Sequence, residues 1–159
     1  MHDLPAAECN PSGPVPFPDC DRLPKAYIAS MGRIIAQVIL TNVMDPQKEM
    51  RFSALVDTGA AYLSLPSAWK DRLGSFPSVM PVQIETATQD SHPAEIAGPV
   101  RIEIEGFRPI HSEVLFVEMT PEAGEDYEPL LGYIPLEQAQ IAVDMLGHRL
   151  VAAKRIDLK

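Results

Sequence analysis

The carboxylate of Asp57 lies where a strand is expected to end. The apolar, β-prone residues 52–56 are followed directly by Asp57, Thr58 and Gly59. An ionised carboxylate taken out of water at such a place is costly unless hydrogen bonds hold it or it takes part in chemistry. Asp57 is therefore either a structural turn residue or a catalytic group.

The three residues Asp57, Thr58 and Gly59 do not decide between these interpretations by themselves. In a structural turn the aspartate accepts backbone amides and the glycine supplies a positive φ. A given tripeptide of common residues also occurs by chance in about a few per cent of chains of this length. The tripeptide alone favours the turn, so its surroundings have to be considered.

The elements that must position Asp57 follow from the alternation of apolar and polar residues. Strands are predicted over 33–40 and 50–56, joined by a turn over 42–48, and this hairpin leads to Asp57. Two short helices are predicted over 66–74 and 135–140. Further short strands are predicted at 63–65, 82–85, 100–105, 113–117, 141–143 and 149–151. Many short strands with frequent turns indicate an all-β fold, a barrel or a sandwich.

Two segments together resemble a known family. With residues 54–60, Ala-Leu-Val-Asp-Thr-Gly-Ala, and with Leu130-Leu131-Gly132 ahead of a short helix, the chain resembles the retropepsin-like aspartic proteases. This family includes the retroviral enzymes and bacterial single-lobe relatives. Residues 143–151 also resemble the closing hairpin of the bacterial members. The resemblance covers residues 33–152 and implies a closed or partly open acid-protease barrel of short strands, a single lobe with one or two short helices.

The resemblance implies an aspartic endopeptidase that works as a homodimer on peptide or protein substrates. A water molecule would be activated by two Asp57 residues, one from each subunit, because this chain carries one such motif. Two carboxylates about 3 Å apart cannot both ionise cheaply, so they share one proton. The active-site loop would also contain Thr58, Gly59 and Ala60. The residues implied to support this loop are Leu130, Leu131 and Gly132.

The resemblance also places a flap over the substrate. The flap residues would be Thr86, Ala87, Thr88, Gln89, Asp90, Ser91 and His92. Retroviral flaps are rich in glycine and this segment has none. The alternative function is therefore a catalytically inactive dimerisation or peptide-binding module, which would bind an extended peptide by strand addition.

Residue Ala60 affects the expected pH range. Pepsin-like lobes commonly carry Ser or Thr at this position, where the hydroxyl donates to the catalytic carboxylate and favours its ionised form. Because Ala60 has no hydroxyl, we expect an activity optimum that is mildly rather than strongly acid.

Composition limits the remaining function classes. A chain of 159 residues suits one domain with a real core. Residues 1–25 carry six of the 16 prolines and predict an arm or linker, or else a pro-segment that the protease cuts, whereas residues 26–159 predict the protease domain. The net charge of -9 and the lack of a basic cluster argue against nucleic acid as a partner.

The cysteines, the histidines and the apolar segments predict no cofactor, no metal site and no membrane partner. Cys9 and Cys20 are expected to be free thiols, with a small disulfide loop as the alternative. The four histidines have no spacing that suits a metal. No secretory signal and no apolar run long enough to span a bilayer are visible, so a cytoplasmic location is expected. Asp144 precedes a turn and is expected to be structural.

Overall fold

Strands dominate the computed structural model, which describes residues 32–85, 91–121 and 126–153. From Gly32 onward the chain forms one compact unit, and the predicted arm, residues 1–25, lies outside the described residues together with Cys9 and Cys20. The strands are β1 (Ile35–Asn42), β2 (Glu49–Val56), β3 (Leu63–Pro66), β4 (Ser78–Glu85), β5 (Ser91–Ile104), β6 (Ile110–Val117), β7 (Leu130–Leu131), β8 (Ile141–Asp144) and β9 (Arg149–Ala152).

Seven strands form one sheet that closes on itself. They pair in the order β1, β2, β7, β3, β6, β5, β4, and an additional pairing of β1 with β5 joins the first six into a ring. Most pairs are antiparallel, but β7 runs parallel to β2 and β3 runs parallel to β6. Strands β8 and β9 form a separate two-stranded hairpin. The predicted all-β fold is confirmed.

Strand β5 belongs to two parts of the sheet at once. Its last residues, 100–104, pair with β1 inside the ring, while residues 91–98 pair with β4 in a hairpin attached to the ring. A bulge between Ala97 and Val100 marks the change of partner. The sequence predicted strands only over 82–85 and 100–105. The observed strands are longer because β4 and β5 continue through Pro81, Pro93 and Pro99, at the edge strand or at the bulge, where a missing N–H is tolerated.

The two helices lie close to their predicted positions. The first is a 3₁₀ helix, Ser67–Leu73, that ends at Gly74 with a positive φ of 77°. The second, α1 (Tyr133–Gln138), begins two residues earlier than predicted, directly after Gly132. The guanidinium of Arg108 donates to the carbonyl oxygen of Gln138. This carbonyl lies at the end of α1, where helix carbonyls have no partner within the helix.

The apolar core fills the inside of the ring. It takes inward-facing residues of β1, β2, β5 and β6, together with Leu63 and Leu65 of β3 and Leu136 of α1. A second, smaller apolar cluster lies on the other face of the sheet and contains Ile96 and Leu115. A sheet that is apolar on both faces exposes apolar surface unless both faces are covered, and this second cluster is such a surface.

Candidate active site

Strand β2 delivers Asp57 to its position. Ala54 is buried in the core and Val56 packs against the core, so the strand is fixed up to its last residue. The N–H of Val56 donates to the carbonyl oxygen of Ile34 at 2.8 Å, and the N–H of Asp57 donates to the carbonyl oxygen of Leu131 at 3.0 Å. The backbone N–H of Asp57 is therefore hydrogen-bonded to β7. The half-buried side chain of Asp57 lies at the start of the following loop.

The loop after Asp57 is a tight turn. The N–H of Gly59 donates to Oδ1 of Asp57 at 2.8 Å, and the N–H of Ala60 donates to the carbonyl oxygen of Asp57 at 3.1 Å. The aspartate thus accepts a backbone amide as the turn interpretation expected, but Gly59 is not among the glycines with positive φ. Gly59 instead leaves space, because a Cβ there would lie 3.1 Å from Oδ1 of Asp57.

The segment that begins at Gly132 lies directly against the active-site loop. The N–H groups of Gly132, Tyr133 and Ile134 donate to the carbonyl oxygens of Tyr62, Ala60 and Ala61 at 3.1, 2.9 and 3.0 Å. A Cβ on Gly132 would lie 2.5 Å from the carbonyl oxygen of Tyr62 and 2.6 Å from that of Ala60. A residue with a side chain cannot occupy this position without moving the loop. Leu130 and Leu131, the other two residues of the predicted support, form β7 between β2 and β3.

A cleft of about 670 Å³ opens beside Asp57. Its walls include Asp57, Gly59 and Ala60 on one side and residues 82–85 of β4 on the other. The smaller apolar cluster forms its floor. The floor and wall residues with apolar side chains are Ile96, Leu115, Val117, Met119, Leu130, Val82 and Ile84. The cleft therefore joins a carboxylate to an apolar surface of the size that holds a side chain or a short peptide segment.

The hairpin of β4 and β5 borders the cleft at the place where the flap was predicted. Glu85, the last residue of β4, pairs with Ser91, and Ile84 pairs with His92. Ser91 and His92 are thus strand residues of β5 and not part of a loop. Thr86, Ala87, Thr88, Gln89 and Asp90 lie outside the described residues.

Asp57 is the aspartate among the described residues that line the cleft. Among the described residues no second aspartate lines it. Thr58 and Gly59 are exposed in the single chain, so the outer surface of the loop has no cover.

No group of three or more metal-ligating side chains occurs within residues 32–85, 91–121 and 126–153. No helix in that part of the chain is long and apolar enough to cross a membrane.

Asp144 lies apart from the cleft, in the turn between β8 and β9. Its Oδ1 accepts the N–H of Gly147 at 2.8 Å, and its Oδ2 accepts Nε of Arg149 at 3.1 Å. The backbone N–H of Gly147 and then the guanidinium of Arg149 hold the pKa of Asp144 below its ordinary value of 3.8. This carboxylate pairs with Arg149 in the hairpin and does not line the cleft.

Sequence reasoning missed most of the apolar residues that line the cleft. Residues 114–117 form a continuous apolar run, which indicates a strand buried on both faces but does not say which residue faces which side. In the structure Val114 and Phe116 face the core, whereas Leu115 and Val117 face the cleft. Residues 82–85 of β4 were predicted as a strand, but no local pattern indicates that they border a cleft beside Asp57.

The chain is similar in structure to retropepsin-like aspartic proteases. One similar structure is titled EIAV protease complexed with the inhibitor HBY-793, at 21% identity over 66% of this chain and 86% of that one, with a TM-score of 0.49. Another is a retropepsin-like aspartic protease from Rickettsia conorii, at 20% identity over 71% of this chain and 85% of that one, with a TM-score of 0.37. Both TM-scores lie below 0.5, so we rest no functional conclusion on these likenesses.

Comparisons of the sequence itself gave no match. No protein-family model matches the chain, and no curated protein matches it.

Proposed function

We propose that this protein is an aspartic endopeptidase in which two copies of the chain each supply Asp57. The observation that carries the proposal is the position of Asp57 at the edge of an apolar cleft of about 670 Å³, on a loop whose backbone is held by the residues around Gly132. A catalytic group must be held rigidly beside the place where substrate binds, and the hydrogen-bonded loop beside the cleft supports this role for Asp57.

The pairing of two chains follows from the chemistry of the site. Hydrolysis needs one carboxylate to take a proton from the attacking water and a protonated carboxyl to donate to the carbonyl oxygen of the peptide. One described aspartate in the cleft cannot do both at the same moment. A twofold axis beside the exposed Thr58 and Gly59 would bring a second Asp57 to within hydrogen-bond reach of the first.

In such a dimer the two carboxylates share one proton. Like charges about 3 Å apart raise the cost of ionising both, so the pair loses its protons in two coupled steps. The ionised member activates the water and the neutral member orients the substrate carbonyl. Water attacks the carbonyl carbon, the C–N bond breaks, and the proton passes to the leaving amine.

A peptide-library experiment tests the proposed activity. The purified full chain is incubated with the library from about pH 3 to about pH 7, and products are identified by mass spectrometry. We expect cleavage that peaks at mildly acid pH and disappears in Asp57→Asn. Cleavage that survives the substitution would contradict the assignment of Asp57, and a peak under strongly acid conditions would contradict the expectation drawn from Ala60.

A second function is favoured by one observation, the open edge of β4. Within the described residues β4 pairs with β5 alone, and Val79 and Met80 on it are exposed at 40% and 52%. An exposed strand edge can bind an extended peptide by adding it to the sheet. A chain that binds library peptides at every pH and cuts none of them would be this peptide-binding module and not a protease.

A further inference from the structure

The polar side chains at the border of the Asp57 cleft are not evenly distributed. The floor is apolar, and the charged side chain that β4 contributes is Glu85, which is exposed at the end of the strand. Within the described residues Glu85 makes no ion pair, and no lysine or arginine lines this cleft. The end of the cleft at β4 is therefore negatively charged.

A second cleft, of about 480 Å³, lies beside the first. Leu55 lines the second cleft and Leu130 lines the first, and these two residues are register partners. Met119 lines the first cleft and its neighbour Thr120 lines the second. Because adjacent residues border both, the two clefts are neighbours, and an extended peptide beside Asp57 would reach each of them within a few residues at about 3.3 Å per residue.

The wall of the second cleft that contains Asp126 is fixed by side-chain contacts. The ring of Tyr127 packs edge-on against Trp69 at a centroid distance of 6.0 Å. Glu128 forms an ion pair with Arg33, the guanidinium on the opposite wall. Asp126 precedes these two anchored residues and is exposed at the border of the cleft.

Charge is therefore unbalanced along both clefts. Among the described residues, the clefts are lined by the carboxylates of Asp57, Glu85, Asp126 and Glu128 against the guanidinium of Arg33, which pairs with Glu128. The chain as a whole carries a formal charge of -9, so its net charge has the same sign as these carboxylates. A positively charged peptide is attracted by the carboxylates that border both clefts, and a negatively charged peptide is repelled by them.

We propose that Glu85 and Asp126 are specificity-determining residues that select peptides with an apolar residue for the Asp57 cleft and Lys or Arg residues on its flanks. This inference rests on the proposed function, since it names the substrate class of that site. The apolar side chain occupies the floor formed around Leu115, and the flanking cations pair with the two carboxylates.

Three matched peptides test the charge preference. They share one apolar centre and carry Lys, Gln or Glu on both flanks, and kcat/KM of the full chain is measured for each. We expect Lys above Gln above Glu, with about three- to fivefold per step, the size that solvent-exposed ion pairs supply. Glu85→Gln and Asp126→Asn should each reduce the ratio of Lys to Glu peptides. Glu105→Gln, in the turn after β5 and away from both clefts, should leave it unchanged.

Salt provides an independent check on the same ratio. The screening length falls from about 8 Å at physiological ionic strength to about 3 Å at 1 M salt, so an electrostatic preference should shrink toward one. A ratio that is insensitive both to salt and to Glu85→Gln would overturn the inference, as would equal cleavage of the three peptides.

A binding measurement separates failure of this inference from failure of the proposed function. Affinities of fluorescent versions of the three peptides are measured for Asp57→Asn, which retains the clefts without the proposed catalytic group. If the wild type cuts no peptide and this variant still binds the Lys peptide most tightly, the protease function fails and the charge preference stands. If the wild type cuts all three equally and the variant binds them equally, the charge preference fails and the protease function stands.

Discussion

Two aspartates in this protein each accept the backbone N–H of a nearby glycine in a turn. Asp57 accepts the N–H of Gly59, and Asp144 accepts the N–H of Gly147, each at 2.8 Å. Asp144 also pairs with Arg149 in a hairpin apart from the main sheet. Asp57 instead lines an apolar cleft, and a second segment of backbone holds its loop. A turn alone therefore does not make a site; the surroundings of the carboxylate do.

The largest difference should appear when each aspartate becomes its amide. Asp57→Asn should lower kcat by about a thousandfold or more, the scale on which loss of a catalytic group acts. Asp144→Asn should leave kcat within about twofold, because the side chain lies outside the cleft. Both variants are assayed on one cleaved peptide, with circular dichroism to show that they are folded. Equal losses in the two would remove the distinction between the turns.

Replacing Gly132 with alanine should lower the free energy of unfolding more than replacing Gly147 with alanine. Gly132→Ala places a Cβ 2.5–2.7 Å from backbone atoms of residues 60–62, and backbone cannot move aside easily. We expect a loss of about 3 kcal/mol in the free energy of unfolding, measured by urea titration, the upper range for overpacking. Gly147→Ala brings its Cβ against the carboxylate of Asp144 and the guanidinium of Arg149, which are the ends of side chains that can rotate, so the loss should be much smaller. A mild effect of Gly132→Ala would mean that the loop is held loosely.

Mixing of subunits tests whether Asp57 works in pairs while Asp144 does not. When wild type and Asp57→Asn are refolded together in equal amounts, random pairing leaves about one quarter of the dimers with two intact aspartates. Activity per wild-type chain should then fall to about half, while mixing with Asp144→Asn should change nothing. Analytical ultracentrifugation over a range of concentrations shows the dimer directly. Undiminished activity per wild-type chain in the first mixture would indicate that each chain acts alone.

The smallest effect concerns pH and stability at Asp144. Because the folded pKa of this carboxyl lies below the ordinary 3.8, its contribution to stability is present above that pH and is lost as the pH falls through the folded pKa. Asp144→Asn should therefore lower Tm slightly at neutral pH and not at all under strongly acid conditions. Differential scanning calorimetry of both proteins across this range checks the sign. A gap in Tm that widens toward acid pH would contradict the assignment of Asp144 to the Arg149 pair.

The hairpin that leads to Asp57 was predictable from the sequence because its signals are local. Alternation over 33–40 and 50–56 and the polar turn between them give β1 and β2 almost as observed. The turn at Gly147 and the strands beside it were predictable for the same reason. Each depends on neighbours in the chain.

The cleft was not predictable in the same way because its walls come from strands far apart in sequence. Leu115 and Val117 face it only because β6 lies between β3 and β5 in the ring. The length of β5 was underestimated because Pro93 and Pro99 usually end a strand, whereas here they coincide with the edge hairpin and the bulge. The tight crossing at Gly132 depends on a distant loop that no local pattern describes.

The change of pairing partners along β5 affects how fast its amide hydrogens exchange with solvent. Residues 100–102 of this strand pair with both β1 and β6, so their amides open only when the ring itself opens. Residues 91–92 pair with β4 alone and can exchange while the ring stays intact. One continuous strand therefore carries a gradient of protection, fast beside the cleft and slow in the core. The part of the hairpin in which β5 pairs with β4 alone can open without unfolding the rest of the protein.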